Sequence, residues 1–211
     1  MHSGCGKGNA MTANVKQIVL AGGPASGKSS VIKRLRQRPT EGDVHVLFLD
    51  EMATTFLHDR PSEIAAADDP LLLQFYILRA QLFAENALLQ NTKYDGQTIL
   101  ISDRGVMDAF VYLNEAELEL LKGEHPERFR DRYDHIVYLK GNIDNYLKDN
   151  ETLRLEKDAR TVIETEEKAY RIWSECKSFS CIEQQECIEQ KVDLVIEDIH
   201  AFLGRRVFTE L

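Results

Sequence analysis

Apolar residues in this chain gather in short, unbroken runs with helical stretches between them. Gln17 to Ala21, His45 to Leu49, Thr98 to Ser102 and His135 to Leu139 are too short for helices and lack the polar alternation of a half-exposed strand. Strands covered on both faces read this way. Ser29 to Arg38 is a helical stretch halted by Pro39. Asp69 and Pro70 supply a cap and a first helical residue, and Leu71, Leu72, Phe75, Leu78 and Leu82 continue helically toward Leu89. This helix is expected to be largely buried. Val106 to Leu121 reads as helix in two pieces, with Asn114 and Glu117 spaced as a capping pair between them. Glu156 to Glu175 is a charged helix with a narrow stripe of Ala159, Val162, Ile163, Ala169, Ile172 and Trp173 facing the body. Ser178 to Ile182 is the weakest strand, and Ile188, Val192, Val195, Ile199, Phe202 and Leu203 keep a helical period that closes the chain. Five strands alternating with helices predict a parallel α/β sandwich of three layers with right-handed crossovers.

The chemistry starts where the first strand stops. Gly22-Gly23-Pro24-Ala25-Ser26-Gly27-Lys28-Ser29, with Ser30 following, lies between a predicted strand and a predicted helix. Glycines at Gly22 and Gly27 let the backbone curl until several N–H groups point at a phosphate beside the positive end of the helix. Lys28 adds a charge, and the Ser29 hydroxyl adds a ligand for Mg²⁺. The segment therefore predicts binding of ATP or GTP with Mg²⁺, the sequence holding no reader that separates the two purines.

Carboxylates and arginines follow at the ends of other strands. Asp103 ends the third, placed either to hold Mg²⁺ directly or through water, or to cap the next helix. Glu51, after Asp50 at the end of the second, is placed to accept a proton from a substrate hydroxyl or to bind a second substrate, the plainer reading being an exposed strand-end carboxylate. Arg104 follows Asp103, and Arg154 and Arg160 flank the start of the charged helix. Phosphoryl transfer spreads negative charge that arginines on a closing flap stabilise, and solvated surface positions are the alternative for each. Thr92-Lys93-x-Asp95 imitates a guanine-reading motif but precedes the Asp103 strand, and Gly105 comes one residue early for a GTPase switch. A signalling GTPase is not the expectation.

Length and charge narrow the setting. The 211 residues suit one domain, expected over 15–211 after a poorly ordered Gly-rich segment at 1–14. A hydrophobic fraction of 43% and a charged fraction of 29% describe an ordinary globular chain. The net charge of −9 argues against a nucleic-acid coat. No stretch approaches the roughly 20 apolar residues of a spanning helix, and the start lacks the apolar core of a signal peptide, so the cytoplasm is the expected compartment. Cys5, Cys176, Cys181 and Cys187 form no CxxC pair and read as reduced packing cysteines.

Taken in order, Gly22 to Ser29, Asp50-Glu51-Met52-Ala53-Thr54, Gln81-x-x-x-Glu85, Asp103-Arg104-Gly105-x-x-Asp108 and Asn150-x-x-x-Arg154-x-Glu156 with Ala159 and Arg160 resemble the NadR/TRPL-translocation-defect group of AAA-labelled P-loop proteins. That group is similar to nucleoside and nucleoside-monophosphate kinases more than to ring-forming AAA machines. The resemblance runs from about Ile18 to Leu203. It implies a P-loop NTPase core of five parallel strands, an acceptor region near Glu51, and a small helical lid over about 144–170 carrying Arg154 and Arg160. Two positions depart from the group: Asp50 stands where a proline precedes the strand-end Glu, and Cys176 stands near the place of a histidine after Trp173. Two functions are implied. One is a kinase passing a phosphoryl group from a nucleoside triphosphate to a small nucleoside- or nucleotide-like acceptor, with Lys28, Glu51, Asp103, Arg104, Arg154 and Arg160 as its working residues. The other is a regulatory NTPase coupling nucleotide binding to a protein or phosphoinositide partner.

Overall fold

The computed structural model describes residues 15–54, 69–91, 96–121, 124–141 and 159–209. The N-terminal segment at 1–14, the lid from 144 to 158 with Arg154, and Thr92 to Asp95 lie outside the described residues. Five strands, β1 (Val15–Ala21), β2 (Val44–Leu49), β3 (Gln97–Asp103), β4 (His135–Leu139) and β5 (Phe179–Ile182), form one sheet in the order β2-β3-β1-β4-β5. Every pairing is parallel.

The unbroken apolar runs have the expected cause. Along β1, Ile18 and Leu20 enter one core with Val31, Leu35, Val192, Val195 and Ile199, while Val19 and Ala21 enter another with Leu78, Phe110, Ala169 and Trp173. Helices α1 (Lys28–Leu35) and α6 (Ile188–Leu203) cover the first face. On the second lie α2 (Pro70–Asn91), α3 (Asp108–Val111), α4 (Glu115–Leu120) and α5 (Ala159–Ser174). Both faces are buried, so successive residues of the central strands are apolar on both sides of the pleat.

Local signals hold at helix ends. The Asp69 side chain accepts from the N–H of Leu72 at 3.2 Å, and Asn114 and Glu117 form a reciprocal capping box on α4. Helix α1 stops at Leu35, sooner than Pro39 alone requires, and tight turns at Gln37 and Arg38 carry the chain on. The segment then bridges Thr40 to Phe208 near the C-terminus.

Two expectations are corrected. Ile163, placed on the inward stripe of α5, is 43% exposed, whereas Val162, Ala169 and Trp173 are buried. Helix α2 is not largely buried: its inward side chains are Gln74, Ile77, Leu78, Gln81 and Glu85, while Tyr76 and Phe83 face out. Periodicity located both helices but did not choose which edge of the apolar stripe meets the sheet.

Ile199 is fully buried between α6 and the sheet. Ile199→Ala is therefore expected to cost about 2–5 kcal/mol, and Ile163→Ala to stay within about 0.5 kcal/mol. Urea unfolding of both variants checks the pair, and equal losses would contradict the packing.

Candidate functional site

Register brings the predicted residues together. Leu20 of β1 lies opposite Asp103 of β3, and Leu49 of β2 lies opposite Ser102. The chain leaving β1 therefore meets the end of β3, and Glu51, two residues past β2, comes beside Arg104. Strand order also reverses here: β1 leads through α1 to β2 on one side, and β3 leads to β4 on the other. Open α/β sheets bind ligands in the crevice at such a switch point.

The turn from Gly22 to Ser29 is shaped by close contacts. Gly22 has φ 143°, and a Cβ there would stand 2.2 Å from the Leu139 carbonyl oxygen. No other residue fits without moving β4. Pro24 and Ala25, half-buried, form the tip, with Ala25 at φ 55°. Gly23 and Ser26 are buried, Ser30 is exposed, and Gly27 caps α1 in the left-handed region. The α1 N-terminus has no side-chain cap and no acidic residue in its first turn. Its positive end is thus left for an outside anion, which is the condition a triphosphate tail fits.

Lys28 is buried with its ammonium folded back on the loop. Nζ donates to the carbonyl oxygens of Gly22 at 2.8 Å and Gly23 at 2.9 Å, and to Ser26 Oγ at 2.9 Å. Burial, helped by the nearby Arg104 charge, lowers its pKa to about 8, against the upward pull of Asp103, Asp108 and Glu51. The Ser29 hydroxyl donates to Asp103 Oδ2 at 2.9 Å, and Asp103 Oδ1 is buried with no partner among the described residues. An orphaned carboxylate oxygen beside a serine hydroxyl at the end of a helix-capping phosphate turn suits a hard cation such as Mg²⁺. Burial raises the Asp103 pKa, opposed by Lys28 and the Ser29 bond.

Arg104 occupies the left-handed region at φ 70°, a conformation that costs a non-glycine residue on the order of 1 kcal/mol or more. Its neighbours over-determine it. Arg104 N–H donates to Leu20 O at 3.1 Å, Gly105 N–H to Asp108 Oδ2 at 2.9 Å, and Val106 N–H to the Tyr133 hydroxyl at 2.7 Å. Gly105 lies so close over Tyr133 and Trp173 that a Cβ would stand within 2.8 Å of both. The guanidinium is thereby aimed at Glu51, to which Nε donates, and lies 3.6 Å from Asp108. Glu51 Oε2 accepts from the Thr54 hydroxyl at 2.7 Å. Burial opposes ionisation of Glu51, yet Arg104, Thr54 and Lys28 prevail and hold its carboxyl below the usual range. It is a carboxylate at neutral pH.

Arg160 is not brought into this cluster. Its side chain is 88% exposed and pairs with Glu164 one turn along α5 at 2.8 Å. Asp50 likewise faces outward, paired with Arg36.

Three supporting groups complete the site, of which Lys191 and Glu166 were not singled out from the sequence. Lys191 is buried and donates to Ser26 O at 3.0 Å, Lys140 O at 3.2 Å and Gln184 Oε1 at 3.3 Å, tying the phosphate turn to β4 and α6. Glu166 of α5 accepts from the Tyr138 hydroxyl at 3.2 Å and Gly141 N–H at 3.3 Å, and packs against Gly23 from outside the turn. Fully buried Glu85 accepts from Gln81 at 2.9 Å, Tyr133 at 3.0 Å and Arg132 at 2.5 Å, while Gln81 also reaches Arg104 O at 3.4 Å. The Gln81…Glu85 spacing was visible as an i, i+4 pair, but the Arg132 and Tyr133 that complete it come from a distant segment.

The sheet, the phosphate turn and the strand-end Asp define a P-loop protein with a nucleoside-kinase-like fold. The profile of the family described as an AAA domain matches residues 17–191. The chain belongs to that family. No curated protein matches it in sequence. Its structure is similar to that of deoxyadenosine kinase from M. mycoides with bound dATP, at a TM-score of 0.55 and 11% identity, covering 88% of this chain and 99% of that one. At that identity the likeness shows the fold alone.

The lowered Lys28 pKa sets a pH dependence. Between about 8 and the usual 10.5 the folded chain holds less of a proton on Lys28 than the unfolded chain, so its cost to folding, present below pH 8, is relieved across that window. An anionic triphosphate has the opposite preference, favouring the ammonium. Affinity for a nucleotide polyphosphate is expected to be flat just below about pH 8 and to fall by up to about tenfold per pH unit above it. Calorimetric titration across the range checks this. Equal affinity at both ends would remove Lys28 from the contact.

Proposed function

We propose that this chain is a Mg²⁺-dependent phosphotransferase that moves the terminal phosphoryl group of ATP or GTP to a small nucleoside- or nucleotide-like acceptor. The observation that carries the reading is the Glu51–Arg104 pair, largely withdrawn from water beside Lys28 and Asp103, with side-chain exposures of 23% and 18%. Taking two charges out of water costs more than a stability role returns. Opposed charges at a ligand-binding strand edge fit chemistry on a polar acceptor.

Lys28 leaves its carbonyl partners for the phosphoryl oxygens, and the turn from Gly22 to Ser30 holds the triphosphate. Ser29 and Asp103 would hold Mg²⁺, which when bound neutralises charge on those oxygens. Arg104 faces the charge that spreads over the transferred group, and Glu51 orients the acceptor hydroxyl and receives its proton. Resemblance to the NadR/TRPL-translocation-defect group adds Arg154 and Arg160 as lid arginines.

Arg160, turned to solvent on Glu164, favours a second reading. In it the chain is a regulatory NTPase that responds to nucleotide and contacts a protein or phosphoinositide. Incubation with Mg-ATP or Mg-GTP and a panel of nucleosides and monophosphates separates the two. A phosphorylated acceptor supports the kinase, and free phosphate alone supports the regulator. Lys28→Ala is expected to abolish nucleotide-dependent thermal stabilisation. Glu51→Gln is expected to leave nucleotide affinity near its original value and to cut acceptor turnover by roughly 100-fold or more. Unchanged turnover in that variant takes Glu51 out of the chemistry.

A further inference from the structure

Lys191 carries a charge where the surroundings disfavour one. It lies in the first turn of α6 and is 4% exposed. A helix dipole opposes a cation at that end, and burial lowers the Lys191 pKa, with Glu166 pulling the other way. Yet Nζ donates to three acceptors, Ser26 O, Lys140 O and Gln184 Oε1. Three acceptors take three hydrogens, which only the ammonium carries. All three are uncharged, so among the described residues no carboxylate pairs with it. A buried ammonium held by neutral oxygens costs more than a stability role returns.

The first acceptor gives the charge a use. In a trans peptide the C=O and the following N–H point in opposite directions. A Ser26 carbonyl drawn to Lys191 therefore turns the Gly27 N–H away from α6. That N–H donates to nothing among the described residues, while the Gly27 carbonyl accepts from Val31 N–H at 2.9 Å and opens α1. Gly27 has φ 85°, and a glycine populates both signs of φ, so the Ser26–Gly27 peptide turns over easily unless something holds it. Lys28 holds Ser26 by its side-chain oxygen and not by its carbonyl. Among the described residues the carbonyl is bonded by Lys191 alone.

We propose that Lys191 is a positioning residue for the phosphate: it locks the Ser26–Gly27 peptide so that the Gly27 N–H faces the anion at the start of α1. Lys28 meets the anion from within the turn, and Lys191 acts from behind it. The proposal rests on the turn being the phosphate site of the phosphotransferase reading, and on no step of the transfer itself.

Inorganic tripolyphosphate, which presents phosphate without base or sugar, is the probe, followed by amide NMR and calorimetry on the full chain. In the wild-type chain the Gly27 amide resonance is expected to move as tripolyphosphate is added, and its hydrogen exchange to slow. Lys191→Met keeps the stem and removes every donor. In that variant the Gly27 shift is expected to shrink and the affinity to fall by roughly tenfold, with far-UV circular dichroism unchanged. Gln184→Ala removes the third acceptor and leaves the Ser26 bond, and its affinity is expected to stay within about twofold of wild type. Equal losses in the two variants would trace the effect to the start of α6 and overturn the proposal. So would a Lys191→Met chain that loses stability but keeps its affinity. A wild-type Gly27 amide that tripolyphosphate leaves unmoved, while those of Lys28 and Ser29 shift, overturns it without any variant and leaves the phosphate site standing. No response at any of the three amides removes the site, and with it both this role and the phosphotransferase.

Discussion

The site depends on the register of β3 between β1 and β2. With Leu20 opposite Asp103 and Leu49 opposite Ser102, residues just past three strands arrive at one level: the phosphate turn, the Asp103–Arg104 pair and Glu51. A slip of one residue would turn alternate side chains to the wrong face and part Ser29 from Asp103. The cores on both sides of the sheet fix that register, because Ile18 and Leu20 belong to one and Val19 and Ala21 to the other. Burial of ordinary aliphatic residues thus sets the placement of charges some distance away.

Around the charges lies a shell of neutral and ionic bonds that holds an unfavourable backbone in place. Arg104 keeps a left-handed conformation because Leu20, Asp108 and Tyr133 take the N–H groups on and after it. Tyr133 is in turn fixed by Glu85. On the other side, Lys191 draws Ser26 toward β4 and α6. Glu166 braces the turn from α5. Strain at a site persists when its surroundings over-determine it, and Leu20, Asp108, Tyr133 and Glu85 do so from four separate segments. Helix α2 serves this shell with its polar side, which is why its apolar residues are left to face outward.

Much of the fold was legible because it rests on local rules. Apolar runs gave all five strands, including β5, and capping residues gave the starts of α2 and α4 at Asp69 and Asn114. The phosphate turn was legible too, since the glycines and lysine that make it are contiguous. Less legible was the facing of helices with ambiguous stripes: Ile163 and the apolar outer side of α2 show that period alone does not say which side meets the sheet. Arg160 was legible as a candidate only by its place near a flap, and it sits on Glu164 away from the cluster.

By itself the sequence determined a parallel α/β sheet, a turn built for phosphate, and a carboxylate at the tip of a neighbouring strand, because each is written in residues close together along the chain. Only the tertiary structure decided that Glu51 pairs with Arg104, that one Asp103 oxygen meets no partner among the described residues, that Lys191 and Glu166 hold the turn, and that α2 shows its aromatic side to the outside. Those outcomes join residues tens of positions apart. They are set by strand order, register and the competition of buried charges for partners, and no local pattern encodes them.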